Sequence, residues 1–100
     1  MEIAKTTEDK KLTVALKGRL DTTTAPMLED VINNELTDVD QLIFDFTDLD
    51  YISSAGLRVL LAAQKAMSPK DGRSMKLTHV KEEVMSVFEI TGFADILTIE

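Results

Sequence analysis

Asp45-Phe46-Thr47-Asp48-Leu49-Asp50-Tyr51-Ile52-Ser53-Ser54-Ala55-Gly56-Leu57-Arg58-Val59-Leu60-Leu61 is the stretch on which the fold turns. The apolar run Leu42 to Phe46 reads as a strand that leads into an acidic turn. Two serines follow, and a helix opens on them. Leu57, Leu60, Leu61 and Gln64 fall at i, i+3, i+4 and i+7, with Ala62, Ala63 and Ala66 around them, the spacing of one helix face. Ser53 takes the N-cap position and Ser54 the first turn. A hydroxyl there lies beside backbone N–H groups without helical partners and at the positive end of the helix dipole. Such a position suits a phosphate.

Upstream, residues 2–6 and 12–17 read as two strands, with Leu12, Val14 and Leu16 alternating in the second. The polar turn Glu8-Asp9-Lys10 between them predicts a hairpin. Thr22-Thr23-Thr24-Ala25-Pro26 is a helix start, a Thr cap with Pro in the first turn, and Leu28, Val31, Ile32 and Leu36 line one face. The mostly apolar segment 41–46 is expected to be a strand buried on both sides. The helix that follows spans 54–67 and stops at Pro69 and Gly72. Residues 74–79 read as a strand and Lys81 to Ile90 as a helix with Val84, Val87 and Phe88 inward. Gly92 closes that helix, and Ile96 to Ile99 form a last short strand. The order ββαβαβαβ, with right-handed crossovers between parallel strands, predicts an α/β fold: a small mixed β-sheet with helices packed mainly on one face.

One hundred residues, 44% of them hydrophobic, suit a single domain spanning 1–100 with one core. No run reaches the ~20 apolar residues of a membrane helix, and residues 1–5 lack the apolar stretch of a signal peptide. Cysteine is absent, which excludes disulfides and thiolate metal sites. These features read as cytosolic. A net charge of −7 disfavours nucleic acid and anionic membrane surfaces as partners and favours a partner with a basic face. Enzyme motifs are missing: no Gly-x-Gly-x-x-Gly, no phosphate-binding loop and no nucleophile elbow. His79 is the only histidine, so no zinc site is expected. The sequence predicts neither catalysis nor a cofactor.

The central segment resembles the phosphorylation-site loop of STAS domains, and most closely the anti-sigma factor antagonists (anti-anti-sigma factors). Asp45-Phe46-Thr47 is similar to the family's Asp-Leu-Ser at a strand end, and Ser53-Ser54-Ala55-Gly56-Leu57 to its Asp-Ser-Ser/Ala-Gly-Leu. Gly18-Arg19-Leu20-Asp21 resembles the Gly-x-Leu-Asp after the second strand, and Val87 to Phe93 the last helix with its Thr-Gly turn. The matches lie in order along the whole chain. The chain departs from the pattern at Ser53, where the family has Asp, and at Ala55, where its second hydroxyl would be.

The resemblance implies a partner switch. The unmodified domain would bind an anti-sigma factor with a serine-kinase fold and free a sigma factor. Phosphorylation of Ser54 (Ser53 being the alternative position) would release it, and a serine phosphatase would reset it. Asp21, Asp48 and Asp50 form an expected acidic rim beside Ser53 and Ser54, with loops after the second and third strands converging there. Gly56, lacking Cβ, would either admit a partner or allow tight helix–strand packing. Arg58, one turn into the helix, is a candidate partner contact. Asp45 is expected to bond backbone N–H groups of the turn after it. The alternative is a STAS module that is not switched by phosphorylation and binds a nucleotide or a structural or signalling protein, which Ser53 in place of Asp favours. A cytosolic domain of an anion transporter is disfavoured by the lack of a membrane span.

Overall fold

Strand β1 (Glu2–Glu8) turns at Asp9-Lys10 into β2 (Lys11–Leu20), and the two pair antiparallel from Glu2–Lys17 to Glu8–Lys11. Asp9 accepts the left-handed backbone conformation, φ 55°, that so tight a hairpin demands. The chain then runs through α1 (Ala25–Glu35), β3 (Gln41–Ile52), α2 (Ser54–Ala66), β4 (Ser74–Thr78) and α3 (Glu82–Thr91). This computed structural model describes residues 1–100. The sheet order is β1-β2-β3-β4, with β3 parallel to both of its neighbours. The mixed sheet and its helices are those expected from the sequence.

All 24 buried apolar side chains form one cluster between the helices and a single face of the sheet. Leu12, Val14, Leu16 and Leu20 alternate inward from β2, and Met75 and Leu77 from β4. Ala25, Leu28 and Ile32 meet them from α1, Leu57, Val59, Leu60 and Ala63 from α2, and Val84 and Phe88 from α3. At about 25 cal/mol per Å² of apolar area removed from water, this cluster is the main favourable contribution to folding. The opposite face carries Thr13, Asp45, Lys76 and Thr78, which are only partly covered.

Strand β3 departs from the sequence expectation in two ways. It is not a six-residue strand closed by an acidic turn, because pairing with β2 continues to Ile52. It is also not buried on both faces. Leu42, Phe44 and Phe46 point into the core at a spacing of two, then Leu49 and Ile52 at a spacing of three. Two bulges explain the change. Ala15 pairs with Asp45 but Lys17 with Asp48, and Gly18 pairs with Leu49 but Arg19 with Tyr51. Each step gives β3 one residue more than β2 and rotates the strand so that the next apolar residue still faces inward. Gly18, at φ 104°, supplies the backbone freedom opposite the second bulge.

Smaller differences have local causes. His79 adopts φ 57°, which ends β4 one residue early. The expected last strand is reduced to one parallel bridge between Ile99 and Leu77, because Phe93–Asp95 is a helical turn and Ile96 stays helical at ψ −41°. The Leu77 N–H donates to the Thr98 carbonyl and the Glu100 N–H to that of Leu77, both at 2.9 Å. Gly92 caps α3 at φ 82°, as its position in the sequence predicts.

Candidate functional site at the start of helix α2

The ends of β2 and β3 lie side by side, Arg19 against Tyr51 and Leu20 against Ile52. The Ser53 N–H donates to the Leu20 carbonyl at 2.9 Å, and the Ser53 carbonyl accepts the first helical bond from the Leu57 N–H at 3.0 Å. These two bonds fix where α2 begins. Ser53 is the N-cap residue, with extended backbone at φ −104° and ψ 176°. Its hydroxyl does not cap the helix. Ser53 Oγ is buried and has no hydrogen-bond partner. Ser54, the first residue of α2, is exposed. Its hydroxyl therefore stands in solvent at the positive end of a 13-residue helix.

Gly56 belongs to the packing beneath this start and not to its surface. A Cβ built on it would lie 2.7 Å from Leu20 Cγ and 2.9 Å from Ile52 Cγ1. The helix rests on the ends of both strands with no room for a methyl group. This corrects the reading of Gly56 as a contact for a partner: it is buried, and its neighbours are core side chains.

Asp21 organises the loop on the other side. Its Oδ1 accepts the N–H groups of Thr23 at 3.0 Å and Thr24 at 3.1 Å, and the Thr24 hydroxyl at 3.2 Å. The Thr24 hydroxyl donates to the Arg19 carbonyl at 2.8 Å and accepts the Asp21 N–H at 2.8 Å. The Thr24 N–H holds the Asp21 carboxyl below the usual carboxylate range, against partial desolvation and helped by Thr23, the Thr24 hydroxyl and Arg19. Thr24 is the N-cap residue of α1 as expected but makes no side-chain cap bond; the Asp21 carboxylate holds the turn before the helix, and the Asp21 carbonyl accepts the Ala25 N–H at 2.8 Å. Arg19 lies over the Tyr51 ring, 4.1 Å from its centre, and 3.8 Å from Asp21. A shallow groove between α1 and α2 has Thr22, Pro26 and Glu29 on one wall and Ala55, the residue after Ser54, with Arg58 and Val59 on the other.

Asp45, Thr47 and His79 form a separate group. The Asp45 carboxylate accepts the Thr47 N–H at 3.0 Å and the Thr47 hydroxyl, with His79 Nδ1 3.4 Å away. The Thr47 hydroxyl is foremost in holding its pKa below the usual range, against partial desolvation. The bond to Thr47 N–H is the one the sequence implied, and it closes the first bulge of β3.

Residues 2–100 match the family model described as the STAS domain. The chain belongs to the STAS domain family. Its relatives include the anti-sigma-B factor antagonist of Staphylococcus aureus, 31% identical over 98 residues that cover 97% of this chain and 90% of that one. Among solved structures, an anti-sigma factor antagonist from Mycobacterium paratuberculosis superposes with a TM-score of 0.87 at 20% identity, covering 98% of this chain and 83% of the other. The Bacillus protein SpoIIAA in its phosphorylated form gives 0.76 at 16% identity, covering 99% and 91%.

In this STAS domain the sequence-predicted residues divide. Asp21, Ser53, Ser54 and Arg58 gather at the meeting of β2, β3, α1 and α2. Asp48 and Asp50 do not complete a rim around Ser54. Both lie within β3, not in a loop after it. Asp48 lines a depression with Glu2, Ala4 and Lys17. Asp50, the extra residue of the second bulge, pairs with Lys81 at 2.5 Å beside Glu82 and Glu83. That hydrogen bond to Asp50 raises the Lys81 pKa. Of the cations near this meeting point, Arg58 stands on the helix of Ser54 and Arg19 is paired with Asp21. The pairing of Arg19 with Tyr51 has no local sequence signal, because only the register of two strands brings them together. No helix is long and apolar enough to cross a membrane.

Proposed function

We propose that this STAS domain is an anti-sigma factor antagonist that binds a serine-kinase-type anti-sigma factor through the start of α2 and is released when Ser54 is phosphorylated. The relatives named as antagonists support the general role. The observation that carries the switch is the exposed Ser54 hydroxyl at the first position of α2, on a base fixed by Leu20, Ile52 and Gly56. In the modification, Ser54 Oγ takes the γ-phosphoryl group of ATP, the bond from that phosphorus to ADP breaks, and the hydroxyl proton passes to the kinase's base. The product carries about −1.5 to −2 charge. That charge is tolerated at a helix N-terminus. In a partner's desolvated interface it opposes binding. The domain is the substrate in this scheme and not the catalyst, and a serine phosphatase restores it.

The second reading, a STAS module without a phosphorylation switch that binds a nucleotide or a protein partner, draws on Ser53. Where the family pattern has a carboxylate, this chain has a buried, unpartnered hydroxyl. One experiment separates the two. The protein is incubated with a candidate anti-sigma kinase and ATP and its intact mass is followed. A single-phosphate gain that Ser54→Ala abolishes, with an unchanged circular dichroism spectrum, is the expected result. No gain with any kinase that binds the domain supports the second reading, and labelling lost only on Ser53→Ala moves the site by one residue.

A further inference from the structure

The sequence holds three arginines. Arg73 donates to the carbonyls of Ala66 and Thr37. Arg19 is engaged with Tyr51 and Asp21. Arg58 is exposed and makes no hydrogen bond or ion pair. It follows Ser54 by four positions on α2, and residues so spaced share one helix face. Helical side chains lean toward the N-terminus, so the one at i+4 reaches back over the residue at i. Arg58 also lines the groove with Thr22, Pro26 and Ala55, of which Ala55 is the chain neighbour of Ser54. Glu29, the carboxylate lining the same groove, forms no ion pair with it.

We propose that Arg58 is the counter-charge for a phosphate on Ser54, clamping it against the first turn of α2. The proposal rests on Ser54 being the modified hydroxyl. A guanidinium matches two phosphate oxygens at once, which an ammonium does not. Ser53 contributes by what it lacks, since no carboxylate stands next to the phosphate to repel it. The clamp gives the modification a second consequence. In the unmodified domain Arg58 is a free cation on the surface proposed to meet the partner. In the phosphorylated domain it is occupied, so one modification would take away both the hydroxyl and the guanidinium.

The test uses the full chain with phosphoserine incorporated at position 54 during translation, in wild type, R58Q and R58K. Phosphorus NMR follows the second ionisation of the phosphate. Its pKa should lie lower in wild type than in R58Q by roughly 0.15–0.4 unit, with R58K between them. The difference should shrink at about 1 M salt, because the pair is exposed. Phosphorylation should also raise the melting temperature more in wild type than in R58Q, by about 1–4 °C. Equal phosphate pKa values and equal melting gains in wild type and R58Q would overturn the clamp. Because the phosphate is installed without a kinase, that failure counts against Arg58 alone, whereas failure of kinase labelling counts against the proposed function.

Discussion

Replacing Gly56 by Ala sets two opposed effects against each other, and the structure decides between them. In an open helix the change would stabilise by about 1 kcal/mol, because Ala has the better helix propensity. Here the new methyl would sit 2.7 Å from Leu20 Cγ and 2.9 Å from both Leu20 Cδ2 and Ile52 Cγ1. Carbon atoms pack comfortably at about 3.5–4.0 Å, so the helix start must retreat by roughly 1 Å or its neighbours must yield. They have nowhere to go: Leu20 is 0% exposed and Ile52 2%. Overpacking of this kind costs typically ~1–3 kcal/mol, and three close contacts at rigid atoms belong at the upper end. Subtracting the propensity gain leaves a loss of about 1–2 kcal/mol. For a domain of this size that lowers the melting temperature by roughly 5–10 °C. Thermal denaturation followed by circular dichroism measures it directly. A melting temperature equal to or above that of wild type would show that α2 does not sit as described, and would return Gly56 to the surface as a residue left small for a partner.

Two further substitutions probe the flanks of the site. Ser53→Ala should change stability by less than about 0.5 kcal/mol, well short of the ~1 kcal/mol typical of a capping serine, because the Ser53 hydroxyl makes no cap bond. A loss above about 1 kcal/mol in chemical denaturation would mean that the hydroxyl does cap α2 in solution. Asp21→Asn should destabilise the domain near neutral pH and cease to matter in acid. The folded-state pKa of Asp21 is depressed, chiefly by the Thr24 N–H, so its contribution is present above the unfolded value of about 3.9 and fades as pH falls through the lower folded value. Melting curves of both proteins at pH of about 7 and about 2 check the sign, and a gap that stays constant with pH refutes the ionic role.

What was legible in the sequence followed from period and punctuation. The alternation of Leu12, Val14 and Leu16, the helical spacing of Leu57, Leu60 and Leu61, and Gly92 after the last helix each state their structure locally. Segment 45–52 defeats a local reading because two bulges stretch its apolar spacing from two to three, and Asp-x-Asp within such a pattern looks like a turn. The consequence reaches the site. Once the segment is a strand, Asp48 and Asp50 are dispersed along it, and Asp50 is committed to Lys81. The contacts that do build the site are set by long-range register: Arg19 on Tyr51, Ser53 on Leu20, Gly56 on Leu20 and Ile52. The exposed position of Ser54 is legible because exposure at a helix start is a local property. The roles of Asp21 and Gly56 depended on neighbours that no local pattern names.

The same packing limits how a modification of Ser54 can act. Beneath it lie Leu20, Ile52 and Leu57, all buried and all apolar, and the core contains no polar or charged residue. No buried hydrogen-bond network exists there to carry a rearrangement inward, and a close-packed apolar layer yields little to a charge placed outside it. The helix start is tied to the sheet through the Ser53 N–H, independently of any side-chain hydroxyl. A phosphate on Ser54 should therefore leave the backbone of the domain where it is. Its effect must be read at the surface, as charge and bulk presented to a partner and as the engagement of Arg58. The proposed switch would then need no second conformation of the domain: its two states would differ in what they offer a partner, with the fold holding the hydroxyl still.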